Sequence, residues 1–486
     1  MSANLRGLAL RTLLPAFPGS TVPAWYLRLI EQGLGGVALF GANITNLEQV
    51  AEMTAAMRRA RAAVIVATDE EGGDVTRLCY AQGSPYPGNA ALGVVDDVVL
   101  TRNVYAAIGA ELAAVGVTLD MAPAVDVNSS DDNPTIGTRS FGTDPFLVSA
   151  HAAAAVSGLQ LAGVSACAKH FPGHGATEED SHFDLPVVDA SMELLWRREL
   201  PPFQAAIAAG VRSIMTAHIR VPVLTGDLPA TFSPEALITL LRKDLGFGGT
   251  IVSDALEMQG ASGTIGVPEA AVRALIAGND LLCFGGEVVK ESQAVARELI
   301  EATATAIVEA VRAGRLTEDR LAEAAARNAL LGTTTLSDRV DAHDGELGLV
   351  AARRALRIEG TLPARGGLVV QLEPPATIAV GEVPWGLVPL LPEVIRLPAS
   401  SDEPPAGVAE AIAARAAGRP IVIVSRDTHR HPWARQIVEQ LSARHPAVVL
   451  VEMGWPSPWR PQGAVAYVAS YGAAQANGRA VAEALI

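Results

Sequence analysis

Cysteine is scarce in this chain: Cys79, Cys167 and Cys283 are the only three in 486 residues, widely spaced and with no Cys-x-x-Cys pair. That excludes a disulfide framework and a cysteine zinc site, and it fits a reducing cytosol. Positive charge is short as well. Lys plus Arg number 37 against 52 Asp plus Glu, a formal net charge of −15. Such a balance works against nucleic acid or an anionic membrane as partner. Long apolar runs are missing: nowhere do about 18 apolar residues pass without a charge, a proline or a turn cluster, so a membrane-spanning helix is not expected. The leucines of LRGLALRTLLPAF come closest to a secretion signal, but Arg11 breaks them and no small-residue cleavage site follows. They read as structure, and the cytoplasm is the expected location. No internal repeat or low-complexity tract stands out beyond general alanine richness.

What is present is core material. Hydrophobic residues make up 49% and charged residues 18%, a globular composition at a length that suits two domains. Short apolar runs recur at Leu8–Leu14, Gly36–Phe40, Ala63–Thr68, Val115–Leu119, Val164–Ala168, Arg212–Ala217, Gly249–Ser253 and Asp280–Phe284, with helical patterns between them. One such pattern is Leu47–Arg61, behind Asn46 as N-cap with Gln49 three residues on. Strands alternating with helices predict a parallel sheet. Periodicity alone leaves open or closed sheet undecided; eight units over residues 1–335 suit a (β/α)8 TIM-type barrel, which takes about 250 residues. After about residue 332 the texture turns polar, and a linker is expected over 336–350. A smaller α/β sandwich is then expected over 351–486, with a helix-like stretch at Leu347–Ile358 and strands at Leu368–Leu372, Thr377–Val380, Ile421–Ser425 and Val448–Glu452.

The ends of the apolar runs carry the chemistry. AVIVAT stops at Asp69, VGVTL at Asp120, VSACA at Lys169 and His170, SIMTA at His218, and TIVS at Asp254. In a barrel of this kind those positions share the C-terminal face, where active sites are built. The densest segment is KHFPGHGATEEDSHFDLP, Lys169–Pro186, too polar and glycine-rich for a core. His170 and His174 have a metal-ligand spacing of four, but Pro172, Gly173 and Gly175 break any helix that would align them, so no metal is expected. Asp180 and His182 are two apart and point the same way in an extended or turning segment. The carboxylate can hold one imidazole nitrogen while the other faces a substrate, a general acid that becomes a base once it has given up its proton. Glu178 and Glu179 read as a solvated charge run. Asp254 can be a nucleophile, a metal ligand or a helix N-cap. In ATDEEGGDVTRL, Asp69 and Arg77 suit either sugar hydroxyls or an internal ion pair.

Taken together, KHFPGHGATEEDSH, SDALEM, DEEGGDVTR, IGTRSFG and MTAHIRVP resemble glycoside hydrolase family 3, in its β-N-acetylglucosaminidase branch. The resemblance covers about the first 335 residues, and the rest is similar to the α/β sandwich domain that some members carry. It implies Asp254 as nucleophile of a retaining double displacement and His182, paired with Asp180, as acid/base on a mobile loop. It also implies Asp69, Arg77, Arg139, Lys169 and His170, with His218 at a matching strand end, around the hydroxyls and N-acetyl group of the sugar. No cofactor is implied. Where the family usually reads DQEGGR, Glu70 and Asp74 take the Gln and Arg places, adding negative charge near the pocket, and Ala255 replaces a frequent second Asp.

The expected activity is hydrolysis of terminal, non-reducing β-linked N-acetylglucosamine from small saccharides or cell-wall fragments. A second reading keeps the same residues and takes phosphate as acceptor, since a neutral histidine base does not repel phosphate as a carboxylate would. A third, a non-catalytic saccharide-binding relative, is at odds with the presence of Asp254, Asp180 and His182. A β-glucosidase, lacking the Asp-x-His loop, is disfavoured by the intact DSH.

Overall fold

The computed structural model describes residues 2–181, 184–263, 265–286, 288–333, 345–399 and 403–485. Eight short parallel strands follow one another along the first part of the chain: β1 (Leu13–Pro15), β2 (Gly36–Leu39), β3 (Ile65–Thr68), β4 (Leu119–Asp120), β5 (Ser165–Phe171), β6 (Ser213–Thr216), β7 (Thr250–Ser253) and β8 (Leu282–Phe284). β2 to β7 pair in sequence order, β8 pairs with β1, and a parallel bridge from Val252 to Leu281 joins β7 to β8. Just before β2 the Gly35 N–H donates to Leu10 O, in the N-terminal helix, at 2.8 Å. A Cβ at Gly35 would lie 2.6 Å from Leu13 O, so the close approach there depends on glycine. This is the TIM-type barrel expected. Every residue of these strands is buried, with Ala38, Ile65, Leu119, Cys167, Met215 and Val252 packed together in one core cluster. The cysteines are free thiols.

Local signals explain most of the elements. The Asn46 side chain accepts the Gln49 N–H at 2.9 Å, opening the helix Leu47–Ala60, whose Val50, Met53 and Met57 are buried. The first expected strand is corrected: Ser2–Arg11 is helical and β1 begins only at Leu13. Leu5, Leu8 and Ala9 are all buried, a spacing of three and four that satisfies a helix face and leaves no alternation for a strand. Among the described residues no helix is long and apolar enough to cross a membrane.

By contacts the chain forms two compact units. The first holds Met1–Glu70, Thr101–Val127 and Thr143–His343; the second holds Asp344–Ile486 together with two excursions from the barrel sequence, Glu71–Leu100 and Asn128–Gly142. The second unit is built on β9 (Arg357–Gly360), β10 (Leu368–Glu373), β11 (Ile395–Pro398), β12 (Ile421–Ser425), β13 (Val448–Glu452) and β14 (Ala466–Ala469), in the order β11-β10-β12-β13-β14-β9. Only β9 runs antiparallel, at one edge. Alternate residues feed two cores, Val370, Ile423 and Leu450 on one face and Val369, Val422 and Val449 on the other. Thr377–Val380, expected as a strand, contains a turn, and the helix expected to Ile358 ends at Ala355 because β9 begins at Arg357. The exposed edge strands β9 and β11 and the alanine-rich β14 carry too few large apolar residues to announce themselves.

One buried carboxylate fastens the strand ends opposite the candidate site. Asp280, with a fully buried side chain, accepts from Arg320 at 2.7 Å, Arg327 at 3.1 Å, the Ile251 N–H at 3.0 Å and also Arg242. Replacing it leaves three part-buried guanidinium groups without their anion, a loss of about 3–5 kcal/mol for a broken buried pair. Asp280→Ala is therefore expected to lower the melting temperature sharply in thermal denaturation; an unchanged transition contradicts this role.

Candidate active site

β3, β5, β6 and β7 end in, or are followed within two residues by, Asp69, Lys169 with His170, His218 and Asp254. Within the barrel unit these side chains stand at one end of adjacent parallel strands. Lys169 is 2% exposed and its Nζ lies 2.7 Å from Asp69 Oδ1. A buried ammonium of this kind is held by its carboxylate partner and can serve as a fixed donor.

His170 is oriented from behind. Its Nδ1 meets Asp126 Oδ2 at 2.8 Å, and its backbone N–H also donates to that carboxylate. A carboxylate can only accept, so Nδ1 carries the proton. The other oxygen, Oδ1, accepts the His174 N–H at 2.7 Å. Burial alone would push Asp126 up; attraction and hydrogen bonds from His170 and His174 outweigh it, and its carboxyl is held below the usual range.

His174 continues this chain of contacts into the loop. Its Nε2 meets Ser181 Oγ at 3.0 Å and its Nδ1 meets Thr177 Oγ1 at 2.8 Å. Burial, with the neighbouring His170, lowers His174 to about 4, so it is a neutral tether at working pH. Ser181 stands between Asp180, which is half-buried, and His182, which lies outside the described residues. Gly173 (φ +127°) is required at the loop's start, since a Cβ there would come within 2.7 Å of Glu199 Oε2.

Asp254 is half-buried at the end of β7. Its Oδ1 accepts the Ala255 N–H at 2.8 Å and its own N–H donates to Thr216 O at 3.3 Å. The Ala255 carbonyl accepts from His218 Nε2 at 3.0 Å, and His218 Nδ1 meets Thr231 Oγ1 at 2.8 Å. His218 is fully buried. Its ring braces the peptide after Asp254, a different employment from the sugar contact expected of it.

At the end of β4, Asp120 is pushed well above the usual carboxylate range, chiefly by burial, despite the Glu70 N–H donating to its Oδ1 at 2.9 Å. Burial likewise raises the Cys167 thiol to about 12 and Cys283 well above its ordinary value. Both thiols belong to the barrel core and, like the Asp120 carboxyl, are biased towards their neutral forms. Among the described residues no group of three or more His, Cys, Asp or Glu could hold a metal ion.

Arg77 and Arg139 stand on the two excursions of the second unit. Arg77 Nη2 donates to Ala379 O at 2.8 Å, and Arg139 grips Glu71 with two bonds of 2.9 and 2.7 Å. Asp74 does not stand as an unanswered charge: its oxygens accept Ala473 N–H and Thr138 Oγ1, each at 2.8 Å. His174 stands in the polar loop segment singled out in the sequence, whereas neither Asp126 nor Thr231 ends an apolar run. Asp126 lies six residues past β4 and Thr231 in a connection, where spacing along the chain says nothing about which ring they meet.

The profile of the glycosyl hydrolase family 3 N-terminal domain matches residues 26–330. A protein named beta-hexosaminidase A from Pseudoalteromonas piscicida is 34% identical over 337 residues, 65% of this chain and 56% of that relative, so the chain spans little more than half its length. A beta-hexosaminidase of Neisseria meningitidis serogroup C is 37% identical over 275 residues, 54% of this chain and 75% of that one. Among solved structures, a glycoside hydrolase family 3 beta-N-acetylglucosaminidase from Paenibacillus sp. str. FPU-7 superposes with a TM-score of 0.85 at 30% identity, over 99% of this chain and 96% of the other.

The buried neutral His174 sets a pH dependence. Its folded pKa, about 4, lies below the ordinary 6.5, so the unfolded chain binds more protons in that window and stability falls as pH drops through it. Glu199, raised by burial to about 7, works in the opposite direction, so the difference between proteins is the useful quantity. His174→Gln is expected to remove an acid-side loss on the order of 2 kcal/mol between pH 6.5 and 4, measured by denaturant unfolding at several pH values. Parallel profiles for the two proteins contradict a neutral His174.

Proposed function

The chain belongs to glycosyl hydrolase family 3, and from that premise we propose that it removes terminal, non-reducing β-linked N-acetylglucosamine by a retaining double displacement. Asp254 attacks C1 as the glycosidic C–O bond breaks, and His182, paired with Asp180, gives its proton to the departing oxygen. Neutral His182 then takes a proton from water, which attacks C1 and releases Asp254 with net retention. Asp69, Lys169, His170, Arg77 and Arg139 hold the hydroxyls and the N-acetyl group. His218 fixes the peptide after the nucleophile. The substrates are small saccharides or cell-wall fragments met in the cytosol, a setting in keeping with three free thiols, and the chemistry draws on side chains alone, with no cofactor.

The observation that carries this reading is the set of oriented polar groups at one barrel end. Asp254 Oδ1 is aimed by the Ala255 N–H, Lys169 is neutralised by Asp69, and His170 is turned by Asp126. Positioning of this kind precedes substrate and costs no reorganisation during reaction. The tie from His174 to Ser181 fixes the loop at the residue that follows Asp180.

Asp254→Ala is expected to abolish turnover of every substrate, because no glycosyl-enzyme can form. His182→Ala is expected to cost about 10²–10⁴-fold on poor leaving groups and far less on activated aryl glycosides, which need little protonation. Equal losses on both classes contradict His182 as the acid. In phosphate buffer the released sugar is expected to be free N-acetylglucosamine; the sugar 1-phosphate as product identifies phosphorolysis on the same residues instead.

A further inference from the structure

Asp74 occupies the place where the family usually has arginine, and its surroundings show what the acid does. Its Oδ1 accepts the backbone N–H of Ala473, in the C-terminal part of the chain, at 2.8 Å. Its Oδ2 accepts the hydroxyl of Thr138, on the second excursion, at 2.8 Å. Asp74 itself belongs to the first excursion, three residues before Arg77, and Thr138 directly precedes Arg139. Burial pushes the Asp74 carboxyl above its usual range, against the attraction of the Arg426 guanidinium. One carboxylate therefore ties three separate stretches of the second unit together, and an arginine there would offer no acceptor to either partner.

The neighbouring contacts repeat the pattern. Glu71 and Arg139 join the two excursions by a bidentate pair, the geometry that gives an Arg–carboxylate contact its directional strength. Arg77 Nη2 rests on Ala379 O at 2.8 Å, and Tyr80 Oη accepts the Glu382 N–H at 2.9 Å. On the second excursion Asp131 receives Trp455 Nε1 at 3.0 Å on its side chain and His429 Nε2 at 2.9 Å on its carbonyl. That turn is itself pinned by buried Glu452, which accepts the N–H groups of Asp427, Thr428 and Gly454.

We propose that the C-terminal α/β domain is the positioning element for the two sugar-binding arginines, with Asp74 as the clasp that fastens the segments bearing Arg77 and Arg139 to it. The inference rests on the assignment of those arginines to the sugar under the proposed function. Asp74 is a positioning residue: it touches no reacting atom, and its loss frees two loops whose ordering must then come from the binding energy of the substrate. That loss appears in KM and leaves the chemical step alone.

The test uses the full-length enzyme and 4-nitrophenyl N-acetyl-β-glucosaminide, with KM and kcat measured separately and folding checked by thermal denaturation. Asp74→Ala is expected to raise KM about tenfold with kcat changed by less than about twofold. Asp74→Asn is expected to recover most of the affinity, because its amide accepts from Ala473 and donates to Thr138. Thr138→Val, a milder change that decides the matter should Asp74→Ala not fold, is expected to raise KM about threefold. Arg77→Ala and Arg139→Ala serve as references and are expected to raise KM at least as much as Asp74→Ala. If they raise KM while Asp74→Ala and Thr138→Val do not, the clasp is overturned and the sugar assignment stands. If neither arginine variant moves KM, the sugar assignment itself falls, and the clasp with it. A fall in kcat in step with the rise in KM, or a lowered melting temperature with unchanged kinetics, also overturns the clasp.

Discussion

The buried carboxylate of Asp126 is the constraint on which the barrel's candidate site depends. It accepts the backbone N–H groups of His170 and His174 and the ring Nδ1–H of His170. A buried anion is tolerable only when its oxygens are satisfied, and three donors from one five-residue stretch satisfy this one. The consequence runs in two directions. Towards the strand, it turns the His170 ring and fixes the backbone beside Lys169. Towards the loop, it sets the backbone of His174, whose ring then reaches Ser181.

Charge at this end of the barrel is distributed with some economy. Lys169 is balanced by Asp69, His174 is kept neutral by burial, and Asp120 and the thiols Cys167 and Cys283 are driven towards their neutral forms. In such surroundings Asp254, at the end of β7, is a partly exposed carboxylate with a backbone donor at its oxygen.

Much of this was legible in the sequence because the barrel imposes a rule. A buried parallel strand reads as an unbroken apolar run, so the standing of Asp69, Lys169, His170 and Asp254 at one end of the barrel could be read from the runs and their terminations. The fold class followed from the same runs. What stayed hidden was set by contacts between distant stretches. His218 stands at a strand end like the others, yet its ring turns to Thr231 and Ala255, which no spacing reveals. Asp126 lies beyond its strand, and Asp74 looked like surplus charge near a pocket until its partners, Ala473 and Thr138, came from hundreds and tens of residues away. The strand expected at Leu8–Leu14 failed on period: Leu5, Leu8 and Ala9 are a helix face, and three apolar residues can satisfy either reading until the partner surface is known. β9 and β11 failed because edge strands bury too little to need a regular pattern.

The proposed glycosyl-enzyme is covalent, so trapping it reveals the nucleophile. A fluorinated N-acetylglucosamine inactivator that slows breakdown of the glycosyl-enzyme, followed by proteolysis and peptide mass spectrometry, identifies the residue that holds C1. A single adduct on the Asp254 carboxylate is expected, with the product released in the β configuration. An adduct on any other residue, or a product first formed as the α anomer, contradicts it.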